Sequence, residues 1–192
     1  MATHQAPEVR REQILTAAQT CFGKLGFYKT KMDDIVVASG LSKGALYWHF
    51  KSKDEIFIAL FEVFDREIFS AWDELRDLSA LETLAAECEI VLGSLLADRS
   101  LVEIWSEFLT HPLARERFAA LYVTSRARLA KTIQKGIENG EIVACDAGHA
   151  AAMITGVIEG LLLQALADPD FDPQEAWPTT WQILSAGMTP RP

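Results

Sequence analysis

The sequence contains few cysteines and no export signal. Only three cysteines occur among 192 residues, and Cys21, Cys88 and Cys145 are far apart. An odd number of widely spaced cysteines excludes a disulfide scaffold and is typical of proteins in a reducing compartment. The N-terminal stretch MATHQAPEVRREQ has no apolar segment, so we expect no secretory signal. The longest apolar run, 147–167, is interrupted by polar residues and glycines and predicts a buried helix. We therefore expect a cytoplasmic protein that does not enter a membrane.

Proline and glycine are also scarce, at 7 and 11 residues, whereas 49% of the sequence is hydrophobic. This composition excludes disordered and collagen-like chains and predicts a globular protein of one or two domains. The histidines and cysteines show no metal-ligand spacing such as C-x-x-C or H-x-x-x-H, and no phosphate loop or dinucleotide fingerprint occurs. We expect neither a metal site nor a cofactor.

Positive charge is scarce overall but concentrated near the N-terminus. The net charge is −9, which argues against a nucleic-acid partner for the chain as a whole. Residues 8–53, however, carry eight basic and four acidic residues, a balance of +4. Residues 54–192 carry ten basic and 23 acidic residues, a balance of −13. Any contact with DNA must therefore be confined to the basic head.

Helical periodicity dominates the sequence, and no segment shows convincing strand-like alternation. Residues that cap or stop helices separate the periodic segments, and Ser52 is expected to cap the fourth of them. The pattern predicts an all-α protein with nine helices, at about 8–24, 31–39, 42–49, 52–78, 81–97, 100–110, 112–138, 146–167 and 173–187.

The two short helices at 31–50 form a predicted helix-turn-helix. Thr30 is expected to cap the first of them, with Asp33 at the third helical position. Gly40 is expected to end that helix and Ser42 to cap the next. In a helix-turn-helix, the N-terminal residues of the second helix contact base edges in the major groove. The small residues Gly44 and Ala45 would let that helix lie deep in the groove.

The segment GLSKGALYWHFKSK, with Ile14 to Phe22, Gly26-Phe27, Thr30 and Asp34-Ile35, resembles the DNA-binding domain of the TetR/AcrR family of bacterial transcriptional regulators. The resemblance implies a three-helix DNA-binding domain at 8–55 and an effector-binding and dimerisation domain at 56–192. It implies a homodimer on a palindromic operator, released by a small effector. The DNA-contacting residues that the motif and the resemblance indicate are Thr30, Lys31, Ser42, Lys43, Gly44, Ala45, Tyr47, Trp48, His49 and Lys53.

Two other functional classes compete with this interpretation. Residues 40–44 also satisfy the G-x-S-x-G pattern of α/β hydrolases, in which Ser42 would be the nucleophile. That chemistry needs a strand before the serine, and the sequence predicts a helix there. A purely structural helical interaction protein is the other alternative, and it would not bind DNA.

The acidic body is rich in aromatic residues, and ligand sites in helical proteins are apolar concavities between helices. The family resemblance implies a pocket among the middle helices. We expect a hydrophobic effector, with aromatic and cationic compounds as the favoured kinds. Its expected contacts are Phe64, Ile68, Cys88, Leu92, Trp105, Phe108 and Tyr122. Glu103 and Glu107 are alternative partners for a cation, although a solvated face explains them as well.

The apolar segment 146–167 carries a small residue at every fourth position. Interior glycines cost a helix roughly 0.8–1 kcal/mol each relative to alanine, and close approach of another helix would offset this cost. We expect this helix to be buried on both sides, with one side against the same helix of a second subunit. The predicted dimer contacts are Gly148, Ala152, Gly156, Gly160 and Trp181.

Overall fold

The computed structural model describes residues 7–97, 99–112 and 114–191, and this part of the chain is all-α. It contains nine helices and no strand, as the sequence predicts. In chain order they are α1 (Pro7–Leu25), α2 (Met32–Ser39), α3 (Lys43–His49), α4 (Lys53–Asp73), α5 (Ala80–Leu96), α6 (Arg99–Thr110), α7 (Arg115–Glu138), α8 (Ala147–Ala167) and α9 (Pro173–Met188).

The described residues divide into two compact units. The first contains those of 1–66 and 98–115, and the second contains those of 67–97 and 116–192. The sequence places the functional boundary at 55/56, within the first turn of α4. The structural units differ from this division because α4 contributes to both units and because α6 packs against α1.

Most caps at the start of the chain are as predicted. Ser42 Oγ accepts the Ala45 N–H at 3.2 Å, and Ser52 Oγ accepts the Glu55 N–H at 3.2 Å. Gly40 ends α2 with a φ of 67°, in the left-handed region that glycine tolerates. The predicted Thr30 cap is wrong. Lys31 is the N-cap, and its N–H donates to the Asp34 carboxylate at 2.8 Å.

Two helix bounds also differ from the prediction. α4 ends at Asp73 rather than near 78, because its last turn tightens to i→i−3 hydrogen bonds from Glu74 and Leu75. α7 begins at Arg115 rather than 112, after a turn in which the Ala114 N–H donates to the His111 carbonyl.

The first unit has an aromatic core. The Phe57 ring lies 4.0 Å from Phe108, 4.3 Å from Phe27 and 5.4 Å from Phe22, measured between centroids. These rings come from α1, the α1–α2 connection, α4 and α6. Aromatic pairs at such separations contribute about 0.5–1.5 kcal/mol each beyond area burial. The core thus fixes the start of α4 and the end of α6 to the DNA-binding segment, the name used below for residues 7–50.

The second unit contains a buried ion pair. Glu87 on α5 is only 1% exposed, and Arg128 on α7 donates to it from Nε at 3.0 Å. Arg128 also pairs with Asp73 and lies over the Trp72 ring. Burial raises the pKa of Glu87, and the hydrogen bond from Arg128 opposes this shift. Removing one partner of such a pair is expected to destabilise the fold by about 3–5 kcal/mol.

Candidate DNA-binding surface

Helix α3 has one buried face and one exposed face. Leu46 is fully buried and Phe50, just after the helix, is 4% exposed, so both hold α3 on the core. Lys43 and Gly44 are exposed, and Trp48 is 67% exposed. The exposed side of α3 is therefore the surface available to a groove of DNA.

The residues at the start of α3 are engaged in local interactions. Ser42 caps the helix, and its hydroxyl hydrogen stays available as a donor. Lys43 Nζ lies 2.7 Å from Asp33 Oδ1 on α2, and the hydrogen bond to Asp33 raises the pKa of Lys43. Ser42 follows α2 rather than a strand, so the structural context that a hydrolase serine requires is absent from this segment.

His49 is the last residue of α3, and the charges of two α1 arginines act on it. Its ring packs edge-on against Trp48, with centroids 4.5 Å apart. Burial lowers the pKa of His49, and the positive charges of Arg10 and Arg11 lower it further. Arg11 also lies over the Phe50 ring. Neither arginine is predicted from the sequence as a neighbour of α3, because both are almost forty residues away along the chain.

We expect from the sequence that Thr30 and Lys53 contact phosphates, but the structure uses both side chains inside the protein. Thr30 is 1% exposed, and its hydroxyl donates to the Cys21 and Gly26 carbonyls. Lys53 Nζ donates to three carbonyls, those of Phe27 at 2.6 Å, Tyr28 at 3.2 Å and Thr30 at 2.9 Å. All three N–H donors of the ammonium are therefore used, and both residues support the DNA-binding segment rather than face a ligand.

The remaining predicted DNA contacts lie on or beside α3. Lys31 is exposed at the start of α2, and Ala45 and Tyr47 are half-buried. Lys51 Nζ donates to the Tyr47 carbonyl at 2.7 Å and so stabilises the C-terminal end of α3. Five of the ten predicted contacts are therefore exposed and one is buried. The exposed ones are Lys31, Ser42, Lys43, Gly44 and Trp48, the buried one is Thr30, and Ala45, Tyr47, His49 and Lys53 are half-buried.

The predicted effector contacts are distributed over both units. Phe64, Trp105 and Phe108 belong to the first unit, and Phe108 packs on Phe57 and Phe61. The other four belong to the second unit. They are Ile68, Cys88 and Leu92, which are buried, and Tyr122, which is half-buried. Burial, together with a hydrogen bond to Glu159, raises the pKa of Tyr122. Glu107, an alternative cation partner, instead accepts the Phe27 N–H.

Helix α8 exposes the face on which the predicted dimer contacts lie. Gly148, Ala152 and Gly156 are exposed, Gly160 and Trp181 are half-buried, and a Cβ added at Gly156 or Gly160 would meet nothing within 4 Å. In this single chain the exposed face of α8 is the one predicted to meet a second subunit. Its opposite face packs in the core through Ala151, Ile154, Ile158, Leu161 and Leu162.

The exposed surface beside these residues is apolar. Met153 and Leu163 on α8 are 47% and 46% exposed, and Ile183 on α9 is 69% exposed. By length and composition alone α8 could cross a membrane, with a mean hydropathy of 1.7. A core helix of a soluble protein satisfies the same criterion. In the second unit, α8 packs against α5 and α9.

A short recognition helix held on a three-helix domain by Leu46 and Phe50 defines a helix-turn-helix DNA-binding protein. Residues 14–60 match the family described as bacterial regulatory proteins, tetR family, and residues 94–186 match the BetI-type transcriptional repressor C-terminal family. The chain belongs to the TetR family of bacterial helix-turn-helix transcriptional regulators.

Individual relatives agree with this assignment. The chain is 31% identical over 151 residues to the regulator YfiR of Bacillus subtilis, covering 72% of this chain and 71% of YfiR. It is 28% identical over 186 residues to the regulator TtgR of Pseudomonas putida, covering 88% and 85% of the two chains. The solved SmeT–triclosan complex has a TM-score of 0.79 at 24% identity, covering 95% and 92%. SmeT is a repressor from Stenotrophomonas maltophilia, and at this identity the likeness shows the fold alone.

Proposed function

We propose that the chain is a cytoplasmic transcriptional repressor that binds a palindromic operator as a homodimer and leaves it when a small effector binds. The exposed face of α3 carries this proposal: Lys43, Gly44 and Trp48 face outwards while Leu46 anchors the helix. Eight residues form the proposed contact surface. They are Lys31, Ser42, Lys43, Gly44, Ala45, Tyr47, Trp48 and His49. Thr30 and Lys53 position this surface from inside the protein.

The test is selection of bound sequences from a random DNA pool, followed by titration of the selected operator. Affinity should fall steeply with salt, because each neutralised phosphate releases counterions. Trp48→Ala should change sequence preference, whereas Lys43→Ala should weaken binding to all sequences by a similar factor. Lys135→Ala, which removes an exposed charge on α7, is the matched control and should bind like the wild type. Recovery of no enriched sequence at low salt would contradict the proposal.

The exposed face of α8 supports the dimer. Small residues at Ala152, Gly156 and Gly160 allow close approach of another helix, and Met153 and Leu163 supply apolar area beside them. A second copy suits this face better than lipid does, because a palindromic operator requires two heads related by a two-fold axis. Sedimentation should show a dimer without added lipid. Monomers that bind vesicles would indicate a membrane surface instead.

The effector is proposed to be a small hydrophobic compound, with aromatic and cationic compounds as the kinds to test. The residues to test are Phe64, Trp105 and Phe108 in the first unit, and Ile68, Cys88, Leu92 and Tyr122 in the second unit. Their apolar character, with the half-buried hydroxyl of Tyr122 among them, supports an apolar ligand with one polar end.

Triclosan and choline are suitable first probes, one an apolar phenol and the other a quaternary ammonium. Either compound should change the tryptophan fluorescence of the wild type more than that of Trp105→Ala, and should release the selected operator. Trp105→Ala should weaken release while leaving operator binding without effector unchanged. Phe69→Ala, which removes a half-buried ring of α4 outside the proposed set, is the control. Equal release from wild type and Trp105→Ala by an active compound would place the pocket elsewhere.

A further inference from the structure

The turn between α1 and α2, residues 26–30, is called the entry turn below because it leads directly into the helix-turn-helix. Gly26 has a φ of +76°, which ends α1 and turns the chain. The next N–H, that of Phe27, donates to the Glu107 carboxylate at 2.8 Å. Glu107 lies on α6, eighty residues further along the chain. A backbone donor of the DNA-binding segment therefore finds its acceptor on a helix outside that segment.

The carbonyl groups of the same turn accept hydrogen bonds from a positive charge, whereas the Phe27 N–H donates to a negative one. Lys53, the first residue of α4, donates to the carbonyls of Phe27, Tyr28 and Thr30, and its ammonium lies 4.3 Å from the centre of the Phe27 ring. The entry turn thus has a carboxylate from α6 on its N–H side and an ammonium from α4 on its carbonyl side. Hydrogen bonds to charged groups are about twice as strong as those between neutral groups.

Helix α6 is fixed against α1 beside this turn. A Cβ added at Gly23 would lie 2.2 Å from Ser100 Cβ, so α1 and α6 approach closely and a larger residue at 23 would separate them. Just after α6, His111 packs edge-on against the Phe27 ring with centroids 4.7 Å apart. The position of Glu107 relative to the entry turn is therefore well defined.

We propose that Glu107 is a positioning residue for operator recognition: by accepting the Phe27 N–H from α6, it sets the entry turn and hence the orientation of the recognition helix. The proposal rests on the proposed DNA-binding function and deepens it. The entry turn ends at Lys31, the N-cap of α2, and α2 carries Asp33, which pairs with Lys43 at the start of α3. A displaced turn would therefore displace both helices of the motif.

The experiment compares full-length Glu107→Ala and Glu107→Gln with the wild type. Both variants remove the charge, but glutamine keeps an oxygen that accepts a hydrogen bond. Glu107→Ala should weaken binding to the selected operator by about tenfold, the factor that a hydrogen bond to a charged group commonly supplies. Glu107→Gln should recover most of this loss. Low-salt binding to random DNA should change less than twofold in both variants, because phosphate attraction does not depend on helix orientation.

Two controls separate positioning from stability. Val102→Ala removes a 2% exposed side chain from the same helix and should lower the melting temperature without a specific loss of operator affinity. Glu103→Ala removes a carboxylate one turn earlier on α6. Hydrogen exchange should show faster exchange of the Phe27 amide in Glu107→Ala and an unchanged rate for α8.

The outcomes are distinct. The proposal is overturned if Glu107→Ala binds the operator like the wild type, or if Val102→Ala loses as much operator affinity at an equal melting temperature. It is also overturned if Glu107→Gln behaves like Glu107→Ala. Failure of the wild type itself to bind selected DNA would instead contradict the proposed function.

Discussion

Lys43 Nζ on the recognition helix lies 2.7 Å from Asp33 Oδ1 on the preceding helix. In the absence of DNA, the carboxylate of Asp33 therefore neutralises the positive charge of Lys43. Both side chains are mostly exposed, at 62% and 67%. Exposed ion pairs contribute only about 0–1 kcal/mol, and salt weakens them. A phosphate or a guanine can therefore replace Asp33 as the partner of Lys43 at little cost.

The first prediction concerns this exchange. Asp33→Asn should strengthen binding to DNA of any sequence by about two- to fivefold at low salt, because it removes both a competitor for Lys43 and a negative charge facing phosphates. Lys43→Ala should weaken binding. The loss of one phosphate contact should also reduce the slope of log affinity against log salt concentration by about 0.9. Fluorescence anisotropy over a salt series measures both. Equal affinities of wild type and Asp33→Asn at low salt would show that Asp33 does not compete.

The second prediction concerns pH. Burial, with Arg10 and Arg11 nearby, lowers the pKa of His49 in the free protein, whereas DNA phosphates would favour its charged form. Binding should therefore take up a proton, and operator affinity should rise as the pH falls from 8 to 6, by at most about tenfold per unit for each head. The same affinities measured for His49→Gln should be nearly independent of pH. Parallel pH profiles for the two proteins would contradict a role for His49.

Protonation of His49 should lower the unfolding free energy as the pH falls, whereas it should raise operator affinity. Because the folded pKa is lowered, the unfolded state binds the proton more readily, and this contribution to stability is lost as the pH falls below about 6.5. The operator titrations should therefore be performed where circular dichroism shows that the chain is fully folded.

The third prediction concerns Asp65 on α4. Burial, with a smaller effect from Glu62, raises the pKa of Asp65 to about 7, and its Oδ1 is buried without a hydrogen-bond partner. Because the folded pKa is above the unfolded value of 3.8, the folded state binds the extra proton between these values, so stability falls as the pH rises towards 7. Asp65→Asn should increase the unfolding free energy at pH 8 by about 1–2 kcal/mol, a figure reduced for partial exposure.

Urea unfolding at several pH values measures this effect. The gain from Asp65→Asn should nearly disappear near pH 4, where the carboxyl is protonated in the folded protein. Glu67→Gln removes an exposed carboxyl from the same helix and should change stability little at either pH. A gain of the same size at pH 4 and pH 8 would exclude ionisation of Asp65 as its cause.

The fourth prediction concerns assembly. A Cβ added at Gly156 or Gly160 meets nothing within 4 Å in one chain, so Gly156→Leu and Gly160→Leu should fold, and higher helix propensity should stabilise the monomer slightly. In a dimer with close helices, the same side chains would clash. Sedimentation should therefore show folded monomers. A dimer that persists after both substitutions would place the interface elsewhere.

Local sequence signals were sufficient to predict the nine helices of the residues that the structure describes, including the recognition helix α3. Ser42, Ser52 and Gly40 act within three or four residues, so their capping roles can be read from the sequence. The end of α4 was predicted less well, because the sequence after Asp73 has good helix formers and the tightening of the last turn has no local signal. Tertiary context determines such ends.

The roles of individual side chains were harder to predict where the partner is distant along the chain. The charge and position of Lys53 are typical of a phosphate-contacting residue. Its ammonium instead donates hydrogen bonds to carbonyls more than twenty residues earlier in the chain. Glu107 resembles a solvated acid or a cation ligand, and its actual partner is a backbone N–H eighty residues away. Periodicity identifies a face of a helix, but it does not identify what that face meets.

The enclosure of the Lys53 ammonium has a consequence for chemical labelling. The Lys53 nitrogen must leave its three carbonyl acceptors and the Phe27 ring before an acylating reagent can reach it. Exposed Lys29 and Lys31, on the same small domain, provide internal references that react at ordinary rates. Mass spectrometry after brief acylation would therefore follow the opening of the turn at 26–30 through one lysine, without any added probe. Conversely, an acyl group on Lys53 would remove its positive charge and leave one N–H donor for three carbonyls, so the turn at 26–30 would lose most of these hydrogen bonds.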